Sequence, residues 1–197
     1  EHVKGRAAEG FNKTYGIVHP GEQWESNRGV RVSPFYEREQ QLGAVFFEAA
    51  AWERPHWYES NAPLVEEYGV QPREHEWDAR WWSPIINAEH LAMRERAAMF
   101  DLTAFCVFDV VGPGALDCVQ TVAARQMNVP DGRVIYTPVL APSGGFKSDL
   151  TIMKMADDRF RVVTGGAHGM ADMKWFADHC GPEARIEDHT STVCTVG

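Results

Sequence analysis

The residue of this sequence best suited to chemistry is a carboxylate placed inside a strand. Asp149 lies in Phe146-Lys147-Ser148-Asp149-Leu150-Thr151-Ile152-Met153, directly after the turn Pro142-Ser143-Gly144-Gly145. On a rigid strand over a cleft, such a group can take or give a proton to an amine ligand. Its alternation partners are Lys147 and Thr151, so the same position also reads as the solvated face of an amphipathic strand. Residues alone leave both readings open. Gly112-Pro113-Gly114 stands between a strand pattern and a helix pattern, as a dinucleotide loop would. Asp117 occupies the place of the third glycine, however, and its charge opposes a pyrophosphate. A plain strand-to-helix turn explains these residues. Gly165-Gly166-Ala167-His168-Gly169 could aim backbone N–H groups at an anion, or simply connect a strand to a helix. No G-x-S-x-G, H-E-x-x-H or phosphate-loop pattern occurs.

Cys106, Cys118, Cys180 and Cys194 form no C-x-x-C pair and have no His at metal-site spacing, so no metal site is expected. They read as buried, reduced thiols of a non-oxidising compartment. Trp77, Trp81 and Trp82 stand among Glu74, His75, Glu76 and Asp78. Such a cluster can stack a planar ligand or pack one domain on another, and its acids disfavour a nucleic-acid platform.

The elements that must position these residues fall into two differently organised stretches. Up to about Gly69 the chain is interrupted by His19-Pro20-Gly21, Ser33-Pro34, Arg54-Pro55 and Ala62-Pro63. There the pattern predicts helices over 3–15 and 35–42, the second capped by Ser33 with Pro34 at its first position, and a strand at 44–47. This stretch does not read as a self-contained core. From Ala88 onward the pattern is regular. It predicts helices over 88–99 (Asn87 as N-cap), 115–124 and 169–180. It predicts strands over 104–111, 134–140, 146–155 and 160–164, with another beginning at Ile186. Hairpins rather than repeated βαβ units imply an α+β fold with an antiparallel sheet and packed helices.

The 197 residues carry Lys+Arg 19 against Asp+Glu 28, a formal charge of −9 that makes nucleic acid and anionic membrane poor partners. Hydrophobic residues make up 44% and charged residues 24%, which excludes a disordered tail. Runs such as Gly43-Ala44-Val45-Phe46-Phe47 fall far short of the roughly 20 residues of a spanning helix. The first residues, Glu1-His2-Val3-Lys4, show no signal or transit pattern, and the chain reads as an inner piece of a longer polypeptide.

The segment from Glu89 to Thr103 resembles the opening of the folate-binding aminomethyltransferase domain known from the T-protein of the glycine cleavage system. The resemblance continues through Val111–Ala115, Tyr136–Leu140, Gly144–Thr151 and Phe160–Ala167, and spans from about Pro72 to the C-terminus. Arg31–Arg38, Leu42–Phe46 and Trp52–Trp57 resemble the region that joins the FAD-dependent part to the folate domain in dimethylglycine and sarcosine dehydrogenases. The resemblance therefore implies two domain pieces. Residues 1–70 would be the end of the flavoenzyme part with its linker, and residues 71–197 the first part of the folate domain.

It also implies a function. The enzyme would oxidise an N-methylated glycine with FAD and pass the one-carbon unit to tetrahydrofolate. Asp149 falls where the family's carboxylate contacts the folate amine and assists proton transfer; Tyr136 and Val163 fall along the pterin and aminobenzoyl pocket. Ser148 replaces the first of the T-protein's paired acids, and Gly165 stands where an Asn often binds the ligand. FAD would be bound by a part outside this chain, and the isolated chain is expected to be inactive. Its partners would be a small methylated amine and the rest of the parent polypeptide or partner subunits, without nucleic acid or membrane. The location would be cytoplasmic in a bacterium or the mitochondrial matrix in a eukaryote. Rival readings are a folate-dependent O- or S-demethylase and a non-catalytic binding module of the same fold, the latter favoured by Ser148 and Gly165.

Overall fold

The computed structural model describes residues 1–197 and divides them into two compact units. The first comprises Glu1–Asp101 with Val196–Gly197; the second comprises Leu102–Thr195.

The first unit begins with helix α1 (His2–Thr14), which buries none of its residues and leaves Val3, Phe11 and Tyr15 exposed. Helix α2 (Tyr36–Gln41) corrects the expected cap: Phe35 is its N-cap, without a side-chain cap bond, and the Ser33 hydroxyl accepts from the Phe35 N–H at 3.1 Å in the turn that precedes the helix. Strands β1 (Ala44–Ala49) and β2 (Trp52–Tyr58) then form an antiparallel hairpin. The second strand was not legible as one. Its turn residues, Ala50 and Ala51, have φ of 53° and 69° without the Asn or Gly that marks such a turn. Pro55, which lacks an N–H, lies opposite Phe46, where the register shifts.

Left-handed backbone costs a non-glycine residue roughly 1–2 kcal/mol. Ala51→Gly is therefore expected to stabilise the hairpin by about 1 kcal/mol, read as an approximately fivefold gain in amide-exchange protection over β1 and β2. Unchanged protection would contradict it.

Short helices α3 (Pro63–Glu67) and α4 (Glu76–Ala79) precede α5 (Pro84–Glu95). The expected boundaries of α5 are corrected by one turn. Ser83 is its N-cap, accepting from the Ile85 N–H at 3.3 Å, and Pro84 takes the first helical position. The apolar core of this unit is small, with Trp52, Ile85 and Ala88 buried. Its aromatic rings are engaged by the unit's own groups. Trp77 lies 4.7 Å from the His19 ring, Trp82 4.5 Å from the Arg73 guanidinium, and Trp24 5.1 Å from that of Arg6.

The second unit is an antiparallel α+β layer structure. Strands β3 (Cys106–Val111), β4 (Val134–Leu140), β5 (Phe146–Ala156), β6 (Arg159–Thr164) and β7 (Arg185–Asp188) form one sheet, ordered β4-β5-β6-β3-β7. Helices α6 (Ala115–Val122) and α7 (Gly169–His179) complete the unit. Alternation along the strands sends Phe108, Val110, Leu150, Ile152, Phe160 and Val162 into one core with Val119, Val122 and Phe176 of the helices. Phe108 and Phe176 meet edge to face at 5.3 Å between ring centroids.

Gly112 confirms the turn reading of its cluster. Its φ is +118°, and a Cβ there would lie 2.3 Å from the Glu183 carbonyl oxygen. Protein backbone, not a phosphate, fills that approach.

The cysteines require a correction. Cys118 of α6 and Cys180 at the end of α7 form a disulfide, their Cα atoms 4.5 Å apart and 62 residues apart in sequence. Only the packing of the two helices brings them together, so spacing could not reveal the pair. Cys194 is exposed, and Cys106 is buried with the Thr190 hydroxyl 3.3 Å from its sulfur. Hence four buried, reduced thiols do not describe this chain. No helix is long and apolar enough to cross a membrane.

Candidate functional site

The site forms on the sheet face opposite the helices of the second unit. Because side chains alternate, Leu150 and Ile152 enter the core while Asp149 and Thr151 face the other way. Register then sets a row across three strands: Tyr136 pairs with Thr151, and Thr151 pairs with Val163. Asp149, two residues before Thr151, lies on the same face opposite Pro138. The three residues singled out from sequence, Tyr136, Asp149 and Val163, are therefore gathered by β4, β5 and β6 onto one surface.

Tyr136 is 61% exposed and its hydroxyl donates to Oδ2 of the exposed Asp149 carboxylate. That bond, together with burial and the neighbouring negative charge, pushes the Tyr136 phenol above its ordinary range, so it stays a donor at neutral pH. The pair presents a carboxylate with one oxygen engaged by a phenol, beside an aromatic ring and the half-buried Val163 and Thr151. A flat ligand carrying an amine fits this arrangement: apolar surface supports the ring, and the carboxylate meets the amine.

Lys147 does not share the row that simple alternation suggested. The β4–β5 register shifts between Val139 and Leu140, and the Lys147 ammonium lies 4.0 Å from the centroid of the Trp175 ring on α7. Ser148 points to the core side, where its hydroxyl donates to Asp172 Oδ2 at 2.9 Å. Residue 148 thus contributes no side chain to the Asp149 face. The Gly165–Gly169 segment closes as a turn, with the His168 N–H donating to the Gly165 carbonyl at 2.9 Å, and leads into α7. Gly169 is required there by close approach, since a Cβ would stand 2.4 Å from Cys106 Cβ.

A second polar cluster on this sheet was missed from sequence. Asp109 is fully buried on β3 and accepts from Arg159 Nε at 2.7 Å and Arg161 Nε at 2.8 Å. The alternating Arg159-Phe160-Arg161 opposite a lone strand acid was the available signal. No group of three or more His, Cys, Asp or Glu could hold a metal ion.

The antiparallel sheet with its two packed helices is the fold of a glycine-cleavage T-type domain. Residues 35–197 match the family described as the GCVT N-terminal domain, and the chain belongs to it. Residues 1–33 match the FAD dependent oxidoreductase central domain, a family of flavin-dependent oxidoreductases. The chain is 34% identical over its whole length to 4-methylaminobutanoate oxidase (formaldehyde-forming) from Paenarthrobacter nicotinovorans, of which it covers 23%. It is 30% identical over 78% of its length to mitochondrial sarcosine dehydrogenase from Homo sapiens, covering 19% of that protein. It thus spans about a fifth of the length of these relatives. Among solved structures, aminomethyltransferase T of the glycine cleavage system from Bartonella henselae shares the fold. There the TM-score is 0.60 at 21% identity, over 81% of this chain and 38% of that one.

Proposed function

We propose that the protein is part of a flavin- and tetrahydrofolate-dependent enzyme that oxidatively demethylates an N-methylated amino acid of the glycine class. The one-carbon unit passes to tetrahydrofolate, and this chain supplies one wall of the folate site. Both family matches on one chain support the pairing of flavin and folate chemistry. The names of the relatives point to secondary N-methyl amines that also carry a carboxylate. The observation that carries the reading is the Asp149 carboxylate, held by the Tyr136 hydroxyl on an open sheet face beside Val163.

Tetrahydrofolate, when bound, supplies the amines that accept the one-carbon unit. Tyr136 and Val163 support its flat rings. Asp149 meets its amine, holds the proton that the amine must lose, and releases it after transfer. Tyr136 keeps the carboxylate turned toward the ligand. No residue of this chain is assigned to the flavin.

The test uses the full-length protein with sarcosine, dimethylglycine and 4-methylaminobutanoate in turn. One of these amines should bleach the flavin absorbance. Added tetrahydrofolate should suppress formaldehyde release and give methylenetetrahydrofolate faster than free formaldehyde condenses with it in solution. Methylenetetrahydrofolate formed no faster than formaldehyde and tetrahydrofolate condense without the protein would remove the folate half of the reading.

A further inference from the structure

Strands β5 and β6 part company at the site. Their ladder runs from Ala156 opposite Arg159 to Thr151 opposite Val163, and there it stops. Continued regularly, it would pair Leu150 with Thr164 and Asp149 with Gly165. On its other side this end of β5 is held only by the edge strand β4, next to the register shift at Val139/Leu140. Backbone pairing therefore fixes Asp149 loosely.

A side chain takes over where the ladder ends. From the first turn of α7, Asp172 places Oδ2 where it accepts from the Ser148 hydroxyl at 2.9 Å and the Thr164 hydroxyl at 2.5 Å. All three are buried, at 7%, 3% and 8% exposure for Ser148, Thr164 and Asp172. Ser148 immediately precedes Asp149. Thr164 immediately follows Val163 and precedes the Gly165-Gly166 turn. Charge-assisted bonds of this kind are short and strong in a buried setting, and they fix geometry as well as add energy.

We propose that Asp172 is a positioning residue of the folate site. Through Ser148 and Thr164 it sets the gap between Asp149 on one strand and Val163 with the glycine turn on the other. This also explains the serine at 148: a second carboxylate there would face Asp172 in the core, whereas a hydroxyl can donate to it. The inference rests on the folate reading above, and the experiment separates the two.

Tetrahydrofolate affinity and one-carbon transfer are measured in the full-length protein and in Asp172→Ala, Ser148→Ala and Asp172→Asn. Val110→Ala, a core truncation on β3, controls for lost stability. Asp172→Ala is expected to weaken folate binding about tenfold, because both buried hydroxyls lose their acceptor and both strand ends are released. Ser148→Ala is expected to weaken it about threefold by removing one of the two tethers. Asp172→Asn keeps an acceptor oxygen for both hydroxyls and should return affinity to within about threefold of wild type. Val110→Ala should lower Tm without moving the affinity.

Wild-type affinity in both Asp172→Ala and Ser148→Ala would overturn the positioning role while leaving the folate reading intact. So would an equal loss in Val110→Ala. Should Asp172→Ala fail to fold, Ser148→Ala and Asp172→Asn carry the comparison. No tetrahydrofolate binding by the wild type would overturn the folate reading and this inference with it.

Discussion

Asp149→Asn in the full-length protein is expected to cut the catalysed rate of methylenetetrahydrofolate formation, above the uncatalysed condensation of formaldehyde, by about 10²–10⁴-fold, the usual worth of a positioned proton-transfer group. The substitution is nearly isosteric, and the amide oxygen can still accept from the Tyr136 hydroxyl that Asp149 now holds. What disappears is the negative charge and the ability to carry a proton. Tetrahydrofolate affinity should therefore change much less than turnover, by about tenfold or less. Flavin bleaching by the amine should proceed at the wild-type rate, with formaldehyde released in place of the folate product. Tyr136→Phe is the companion variant. It keeps the ring that supports the ligand but frees the carboxylate to turn, so turnover should fall by a smaller factor than in Asp149→Asn. Initial rates of methylenetetrahydrofolate formation, corrected for the uncatalysed condensation, decide the matter: the wild-type rate from Asp149→Asn would remove the role assigned to it.

Much of the second unit was legible because hydrophobic alternation and turn residues agree there. The strand over Val134–Leu140 was read to the residue, and the hairpin from Phe146 to Thr164 within one or two. The glycines before Phe146 mark its start and the acids Asp157-Asp158 its turn. The first unit was less legible for a physical reason. Its hairpin turns on two alanines in left-handed backbone, and the partner strand carries a proline, so both usual signals are missing.

The site divides in the same way. Tyr136, Asp149 and Val163 come together through strand register, which patterning and the family resemblance convey. The Ser148–Asp172–Thr164 tie joins a strand, a strand end and a helix, and no spacing rule links those positions. The disulfide was hidden for that reason too, since it depends on how two helices pack.

The largest stability effect is expected at Asp109. Its carboxylate is fully buried on β3 and is held by Arg159 and Arg161 across the β3–β6 ladder, with Arg159 Nη2 at 2.6 Å from Oδ2. His189 Nε2 stands 3.5 Å from the same oxygen, and Glu187 faces the cluster from β7 opposite Asp109. Burial alone would raise the Asp109 pKa, but hydrogen bonds from Arg161 and Arg159 outweigh it and hold the carboxyl below its ordinary value. Breaking a buried ion cluster by removing one partner costs about 3–5 kcal/mol, because the remaining charges lose their compensation. Asp109→Ala is therefore expected to lower amide-exchange protection of β3 and β6 by at least about 10²-fold at pH 7.

The sign of the pH dependence follows from the depressed native pKa. The stabilisation is complete above the unfolded-state value, near 3.9 for an aspartate, and is lost as pH falls through the lower native value. The gap between wild type and Asp109→Ala should thus be constant from pH 7 down to about pH 5 and close only in stronger acid. A gap that closes between pH 7 and pH 5 would contradict the assignment of the effect to the Asp109 carboxylate.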